Sequence, residues 1–288
     1  MLARRRLTRW SRFGASDWRM GSAQMVNFPG KRVMVNRREF CSALGAMPFS
    51  LSCAGRASSG DGFAAKSYQN TRGQRMPYQL FIPKEYDSGR RYPLVLWLHG
   101  GAGRGNDNLK QISGGNAVGS HVWTLQENQT RNPCFVLAPQ CPDRQEWATV
   151  ADAQPTAQLQ LALEMLEEIR GAFSIDARRL YVTGQSLGGF GTWASITRQP
   201  GMFAAAIPVC GGGNESQAAK LRATPIWAFH GEKDQAVSVE RSRRMIDTIR
   251  KAGGEPKYTE YKDAGHVIWE QVFHEPELLT WVFSQRAS

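Results

Sequence analysis

The pentapeptide Gly184-Gln185-Ser186-Leu187-Gly188 follows the apolar run Leu180 to Thr183 and opens a stretch with helical periodicity. A serine in a sharp strand-to-helix turn projects its hydroxyl from the sheet, and flanking glycines leave room where a Cβ would clash. The positive end of the following helix favours negative charge developing there. Ser186 is therefore the expected nucleophile. A hydroxyl needs a base to take its proton, and the base needs a carboxylate to fix its tautomer. Of five histidines, His266 and His274 follow the candidate acids in the chain. His266 ends Asp263-Ala264-Gly265-His266, a loop after a β-rich run, whereas His274 falls inside a helical pattern. Loops at strand ends present reacting groups, so His266 is the expected base. Asp234, in His230-Gly231-Glu232-Lys233-Asp234 after the apolar run Pro225 to Phe229, is the expected acid, with Glu232 and Asp263 as alternatives.

Attack on a carbonyl creates a negative oxygen that needs N–H donors. One is expected from Leu187, just after the nucleophile. The other belongs to His99-Gly100-Gly101-Ala102-Gly103-Arg104-Gly105, with Gly101 first and Gly100 or Ala102 next. This loop lacks the G-K-[ST] ending of a phosphate cradle. His99 reads as shaping it. Gln185, Arg104, Trp147 and Trp269 are the substrate contacts that proximity in sequence suggests, Trp147 and Trp269 as an aromatic wall. Asn106 and Asp107 contact substrate or close turns. No His, Cys or carboxylate cluster has metal-ligand spacing, so neither a metal nor another cofactor is expected.

These groups lie far apart in sequence, so a framework must gather them. Strands are predicted at Tyr78 to Ile82, Tyr92 to Leu98, Cys134 to Leu137, Leu180 to Thr183, Ala204 to Val209, Ile226 to Phe229 and Lys257 to Tyr261. Helices are predicted at Thr156 to Ile169, Leu187 to Thr197, Val239 to Arg250 and Trp269 to Phe283, with Gly171 and Gly253-Gly254 as stops. The alternation argues for an α/β protein with a mostly parallel twisted sheet and helices on both faces. Pro208 cannot donate to a ladder, so its strand is expected to be short or bulged. Residues 58–288 read as one domain.

The net charge of +11 points to nucleic acid until it is located along the chain. Residues 1–40 carry +8 of it, leaving a nearly neutral body without the basic footprint of a nucleic-acid binder. Residues 1–57 read as a basic extension, without helical periodicity at its start, that ends in an export signal. Arg37 and Arg38 precede an apolar stretch from Phe40 to Ala54 and then small residues. Asn36-Arg37-Arg38-Glu39-Phe40 resembles a twin-arginine signal, departing from it at Asn36 and Cys41. Export to the periplasm or medium is the expectation, with no stable membrane insertion once the signal is removed; a cytoplasmic extension is the alternative. Beyond it remain Cys134, Cys141 and Cys210. A strand would hold the first two roughly 23 Å apart, too far for a disulfide.

Residues 78 to 284 resemble an α/β-hydrolase of the esterase and predicted-peptidase group related to polyhydroxybutyrate depolymerases and feruloyl esterases. Leu98 to Asn108, Leu137-Ala138-Pro139-Gln140-Cys141-Pro142, Gly184 to Trp193 and Ala264 to Trp269 carry the resemblance. It implies the α/β-hydrolase fold, the set Ser186, Asp234 and His266, an acyl-enzyme route, and a small-molecule or oligomeric ester as substrate. It also implies strand-end positions for Cys141 and Cys210 too far apart to bridge. Arg104 follows Gly103 where the group more often has an acidic residue. The dozen residues between Cys210 and Pro225 are too few for a large lid, and residues 102–133 are expected to overhang the nucleophile instead. A peptidase of the prolyl-oligopeptidase type shares the triad but usually gates it with a propeller, for which the chain has no room. A binding protein without catalysis would be expected to lack a triad member.

Overall fold

The computed structural model describes Gln24–Phe28, Lys31–Val35 and residues 62–288. The chain divides into two units, residues 1–54 and 55–288. In the first, β1 (Gln24–Phe28) and β2 (Lys31–Val35) pair antiparallel, with Phe28 opposite Lys31. The basic segment thus contains a ribbon that its composition did not suggest. Arg37-Arg38 and the apolar stretch after them lie outside the described residues.

The second unit is built on eight strands: β3 (Phe63–Gln69), β4 (Arg75–Phe81), β5 (Tyr92–Leu98), β6 (Phe135–Pro139), β7 (Ile175–Gln185), β8 (Ala205–Val209), β9 (Trp227–Gly231) and β10 (Lys257–Tyr261). Their spatial order is β10-β9-β8-β7-β5-β6-β4-β3. All neighbours are parallel except β4, which runs antiparallel to β3 and β6. All seven residues of β5 are buried, as a strand covered on both faces requires. Alternate side chains go to opposite faces: Leu94, Leu96 and Leu98 join one core, Val95 and Trp97 the other.

Seven α-helices accompany the sheet: α1 (Ala117–His121), α2 (Gln126–Arg131), α3 (Ala157–Ala172), α4 (Leu187–Arg198), α5 (Glu240–Lys251), α6 (Trp269–Phe273) and α7 (Leu278–Ser284). Helices α3, α4 and α5 fill the core of the first face, and α6 and α7 that of the second. Thr156 caps α3 through the Leu159 N–H, and the helix runs through Gly171 to Ala172. The single helix expected from Trp269 to Phe283 is instead two, because Pro276 lacks the N–H a continuing turn needs and disfavours helix just before it. Strand β3 escaped the sequence reading because Phe63-Ala64-Ala65-Lys66-Ser67 has little β-branched or alternating character.

Pro208 acts as its chemistry demands. Ala206 and Cys210 donate their N–H groups to Pro225 and Phe229 of the neighbouring strand, and the bond between them is the one Pro208 cannot make. The ladder between β8 and β9 is accordingly reduced to Val209 opposite Phe229 and a bridge of Ala206 with Ile226.

Candidate active site

Four loops meet at the carboxyl ends of the parallel strands, where open α/β sheets bind ligands. Strand β7 passes directly into α4 at Ser186, whose φ of 55° and ψ of −114° lie far from ordinary side-chain-bearing backbone. The Ser186 N–H donates to the Val209 carbonyl and so fixes the turn to β8. The glycines on either side are dictated by close approach. A Cβ on Gly184 or Gly188 would sit 2.4 or 1.8 Å from the Leu98 carbonyl oxygen. Backbone of β5 therefore presses directly against the turn at Ser186, and no other residue fits.

The structure brings the three residues of the expected set together. His266 Nε2 lies 2.8 Å from Ser186 Oγ, and His266 Nδ1 lies 2.7 Å from Asp234 Oδ2. Asp234 is buried; its Oδ1 accepts from the N–H groups of Ala236 and Val237, each at 2.9 Å. Burial pushes this carboxyl up, but the His266 hydrogen bond and the two N–H groups outweigh it and leave it below the ordinary carboxylate range. Asp234 is thus ionised at neutral pH and holds the His266 proton on Nδ1, leaving Nε2 to accept from Ser186. The alternatives are engaged elsewhere: Glu232 accepts from the Asp263 N–H, Asp263 pairs with Lys233, and exposed His274 reaches Glu270.

Leu187 opens α4, so its N–H has no carbonyl one turn back within the helix. Gly101 opens the short turn 101–103 and is exposed. The loop that carries it is tied down on both sides. Gly100 donates its N–H to Asn116 Oδ1 at 2.9 Å, and Gln185 Nε2 reaches the Gly115 carbonyl at 2.7 Å and Asn116 Oδ1 at 3.3 Å. His99 Nδ1 donates to the Gly100 carbonyl, and Nε2 accepts from the Cys141 N–H at 2.9 Å.

Burial, opposed by the hydrogen bond to Gly100, pulls the His99 imidazole down from 6.5 to about 4. A value depressed on folding means full stability above pH 6.5 and loss as the pH falls through 4. The His99 share of that loss is expected to be about 3 kcal/mol. It is measured as the fall in urea midpoint across this window, which should shrink in His99→Gln. An equal fall in the variant would assign the loss to other groups.

Residues 69–277 match the sequence profile of the Esterase family, described as "Putative esterase". The chain belongs to that esterase family. The chain is 24% identical over 184 residues to a bifunctional acetylxylan esterase/xylanase from Neocallimastix patriciarum, the match covering 64% of the chain and 25% of that protein. It is 26% identical over 193 residues to a protein from Aspergillus terreus named "Probable feruloyl esterase C", covering 65% of the chain and 64% of the relative. The chain thus spans a quarter of one curated relative and just under two thirds of the other. Among solved structures it is similar to a thermostable esterase at 38% identity and a TM-score of 0.76, over 78% of this chain and 64% of that one. A feruloyl esterase module from Clostridium thermocellum, complexed with sinapinate, superimposes at a TM-score of 0.58 and 15% identity, over 79% and 90% of the two chains; it shows the fold alone. The fold is that of the α/β-hydrolases.

The structure redistributes the residues expected to contact substrate. Gln185, 3% exposed, clamps the Gly100 loop through Asn116. Trp147 is fully buried, donates its indole N–H to the His99 carbonyl, and packs edge-on against the His99 ring. Trp269 packs edge-on against His266, with ring centres 5.3 Å apart. Gln185 and Trp147 therefore correct to supports of the loop, and Trp269 to a brace for His266; sequence proximity does not report which way a side chain faces. Arg104 remains beside the candidate donors, with Nη1 3.9 Å from where a Gly101 Cβ would lie and Nε on the Gln145 carbonyl. Asp107 closes a turn onto the N–H groups of Leu109 and Lys110.

Three residues that sequence reasoning passed over sit at the site. Val267 leaves 72% of its surface exposed directly after His266, an apolar contact at the rim. Asn116 carried no signal, being seventy positions from Ser186. His230 had one in its spacing to Asp234. Folding also gathers donor atoms of Cys210, His230 and Asp234 within 4.8 Å of one another. His230 Nε2 faces the Val237 carbonyl at 2.9 Å and must carry a proton, and both oxygens of Asp234 already accept N–H groups. The group is a hydrogen-bonded network rather than a set of free ligands. A cavity of about 810 Å³ lies at the opposite end of the sheet, lined by Phe81 and Tyr92 where β4 ends and β5 begins. It is remote from Ser186.

Proposed function

We propose that the protein hydrolyses carboxylic esters through an acyl-enzyme formed on Ser186. The observation that carries this reading is the single His266 ring hydrogen-bonded to Ser186 Oγ and Asp234 Oδ2 at once. In the proposed sequence, Nε2 takes the Ser186 proton as Oγ attacks the carbonyl carbon, and the imidazolium is stabilised by Asp234. The Leu187 and Gly101 N–H groups receive the negative oxygen. His266 then returns the proton to the departing alcohol. Water repeats the cycle in reverse roles: His266 deprotonates it as its oxygen attacks the acyl carbon, then returns that proton to Oγ as the acyl–Oγ bond breaks, and the carboxylic acid leaves.

The family and the names of its relatives support ester substrates, and those names concern acetylxylan and ferulate. A rim with exposed Val267 and no large lid suits an acyl group carried on a bulky alcohol. Arg37-Arg38 and the apolar stretch after them support export, where such substrates lie. The test is a fluorophosphonate probe with peptide mapping, alongside p-nitrophenyl acetate, feruloyl esters, polyester oligomers and aminoacyl amides. A single adduct on Ser186 with ester turnover is expected. An adduct elsewhere, or cleavage of amides alone, would overturn the reading.

A further inference from the structure

His230 lies on β9, one residue before its end, and is completely buried. Its Nε2 is 2.9 Å from the Val237 carbonyl and 3.2 Å from Asp234 Oδ2. Neither atom can donate while the carboxyl is ionised, so the proton of the ring sits on Nε2. On the other side Nδ1 lies 2.8 Å from the Ser242 hydroxyl of α5, itself 3.1 Å from the Gly211 carbonyl. The ring is held at both nitrogens. Asp234 Oδ2 consequently accepts from His266 and lies 3.2 Å from His230 Nε2, whose proton points to the Val237 carbonyl beside it, while Oδ1 accepts two backbone N–H groups. A structural bond to Val237 alone would not require the ring to lie against the acid.

We propose that His230 is a positioning residue whose Nε2–H shares the charge of Asp234 Oδ2 and so weakens the hold of that carboxylate on protonated His266. The inference rests on the reading of Ser186, His266 and Asp234 as the reacting set. A carboxylate that accepts an additional N–H is a weaker base and a weaker partner for a cation. His266 then gives up its proton more readily, both to the departing alcohol and to solvent. Without that donor, His266 keeps its proton to higher pH.

Other groups face both rings, and the Cys210 thiol also reaches Asp234. His230 is faced by Asp234, by the Cys210 thiol just after β8, which burial keeps neutral, by Ser242, and by Glu260 of β10. Glu260 is already paired with Arg243 through bonds of 2.9 and 2.5 Å and accepts from the Tyr258 hydroxyl. His266 is faced by Asp234, Ser186 and the uncharged ring of Trp269. Burial holds His230 itself below its ordinary value, so it acts as a neutral donor.

The test compares kcat/KM against pH for the wild type, His230→Gln, His230→Met and Ser242→Ala. Gln keeps an N–H donor near the place of Nε2; Met keeps bulk without one. The acid limb of His230→Met is expected to move up by about 0.5 to 1 pH unit, a three- to tenfold loss on that limb, with KM unchanged on the plateau. His230→Gln should retain the wild-type limb, and Ser242→Ala, which frees the ring, should move it up by less. Coincident limbs for wild type and the Met variant, or equal shifts for Gln and Met, would overturn the proposal. Should the Met variant not fold, an unmoved limb in Ser242→Ala overturns it and an upward shift sustains it. NMR titration of the His266 ring in the same proteins separates the two readings. If the wild type turns over no ester, the triad reading fails, while the His266 midpoint still rises or fails to rise when His230 is altered.

Discussion

Ser186→Ala is expected to lower kcat for ester hydrolysis by about 10⁴- to 10⁶-fold while the protein keeps its fold. The reason for the size is that no other hydroxyl shares a hydrogen bond with His266 Nε2 among the described residues, so nothing takes over the attack. The reason for the retained fold is that the turn is made by backbone. The Ser186 N–H bond to Val209, the pressure of Leu98 on Gly184 and Gly188, and the start of α4 are all independent of Oγ. Alanine has the same Cβ and meets the same strain at φ 55°. Thermal unfolding should therefore stay within a few degrees of wild type. Measured kcat within tenfold of wild type would remove Ser186 from the mechanism.

Asp234→Asn is expected to cost about 10⁴-fold in kcat, for a reason visible in the hydrogen bonds. Oδ1 receives two backbone N–H groups, so the amide nitrogen cannot occupy that position without setting donor against donor. The nitrogen must take the place of Oδ2 and point at His266 Nδ1. It can only donate there, which moves the imidazole proton to Nε2, against Ser186. A ring protonated on that side cannot accept the hydroxyl proton. The same nitrogen also meets the His230 N–H, a clash of donors that should destabilise the fold by about 1 to 3 kcal/mol. Kinetics on folded protein, with ¹⁵N shifts of the His266 ring to report the tautomer, check both parts. Near-normal kcat with the proton still on Nδ1 would remove the acid role from Asp234.

Much of this site was readable along the chain because its signals are local. The turn at Ser186 announces itself through glycines whose necessity is steric, and a loop ending in Gly265-His266 after a β-rich run can be recognised without knowing what it faces. The choice of Asp234 over Glu232 and Asp263 was readable only as a preference. In the structure Asp234 is buried and accepts from the Ala236 and Val237 N–H groups, which supports that preference, whereas Glu232 accepts from the Asp263 N–H nearby. Elements with strong apolar runs were equally plain. β3, with Lys66 and Ser67 in a weak pattern, was not, and Pro276 was the local signal that should have divided the last helix.

From residue types and spacing alone came the alternating α/β framework, the serine turn, the His266 loop and the glycine-rich loop. Each is a short-range property of the chain, set by backbone sterics and by period. Which side chains face substrate and which brace the machinery was decided by tertiary packing. Trp147 turned inward onto His99, Gln185 reached Asn116 across 69 residues, and His230 came to rest against the carboxylate that His266 also uses. Such contacts join strands through the sheet order, and direction within a packed core depends on neighbours that no local window contains.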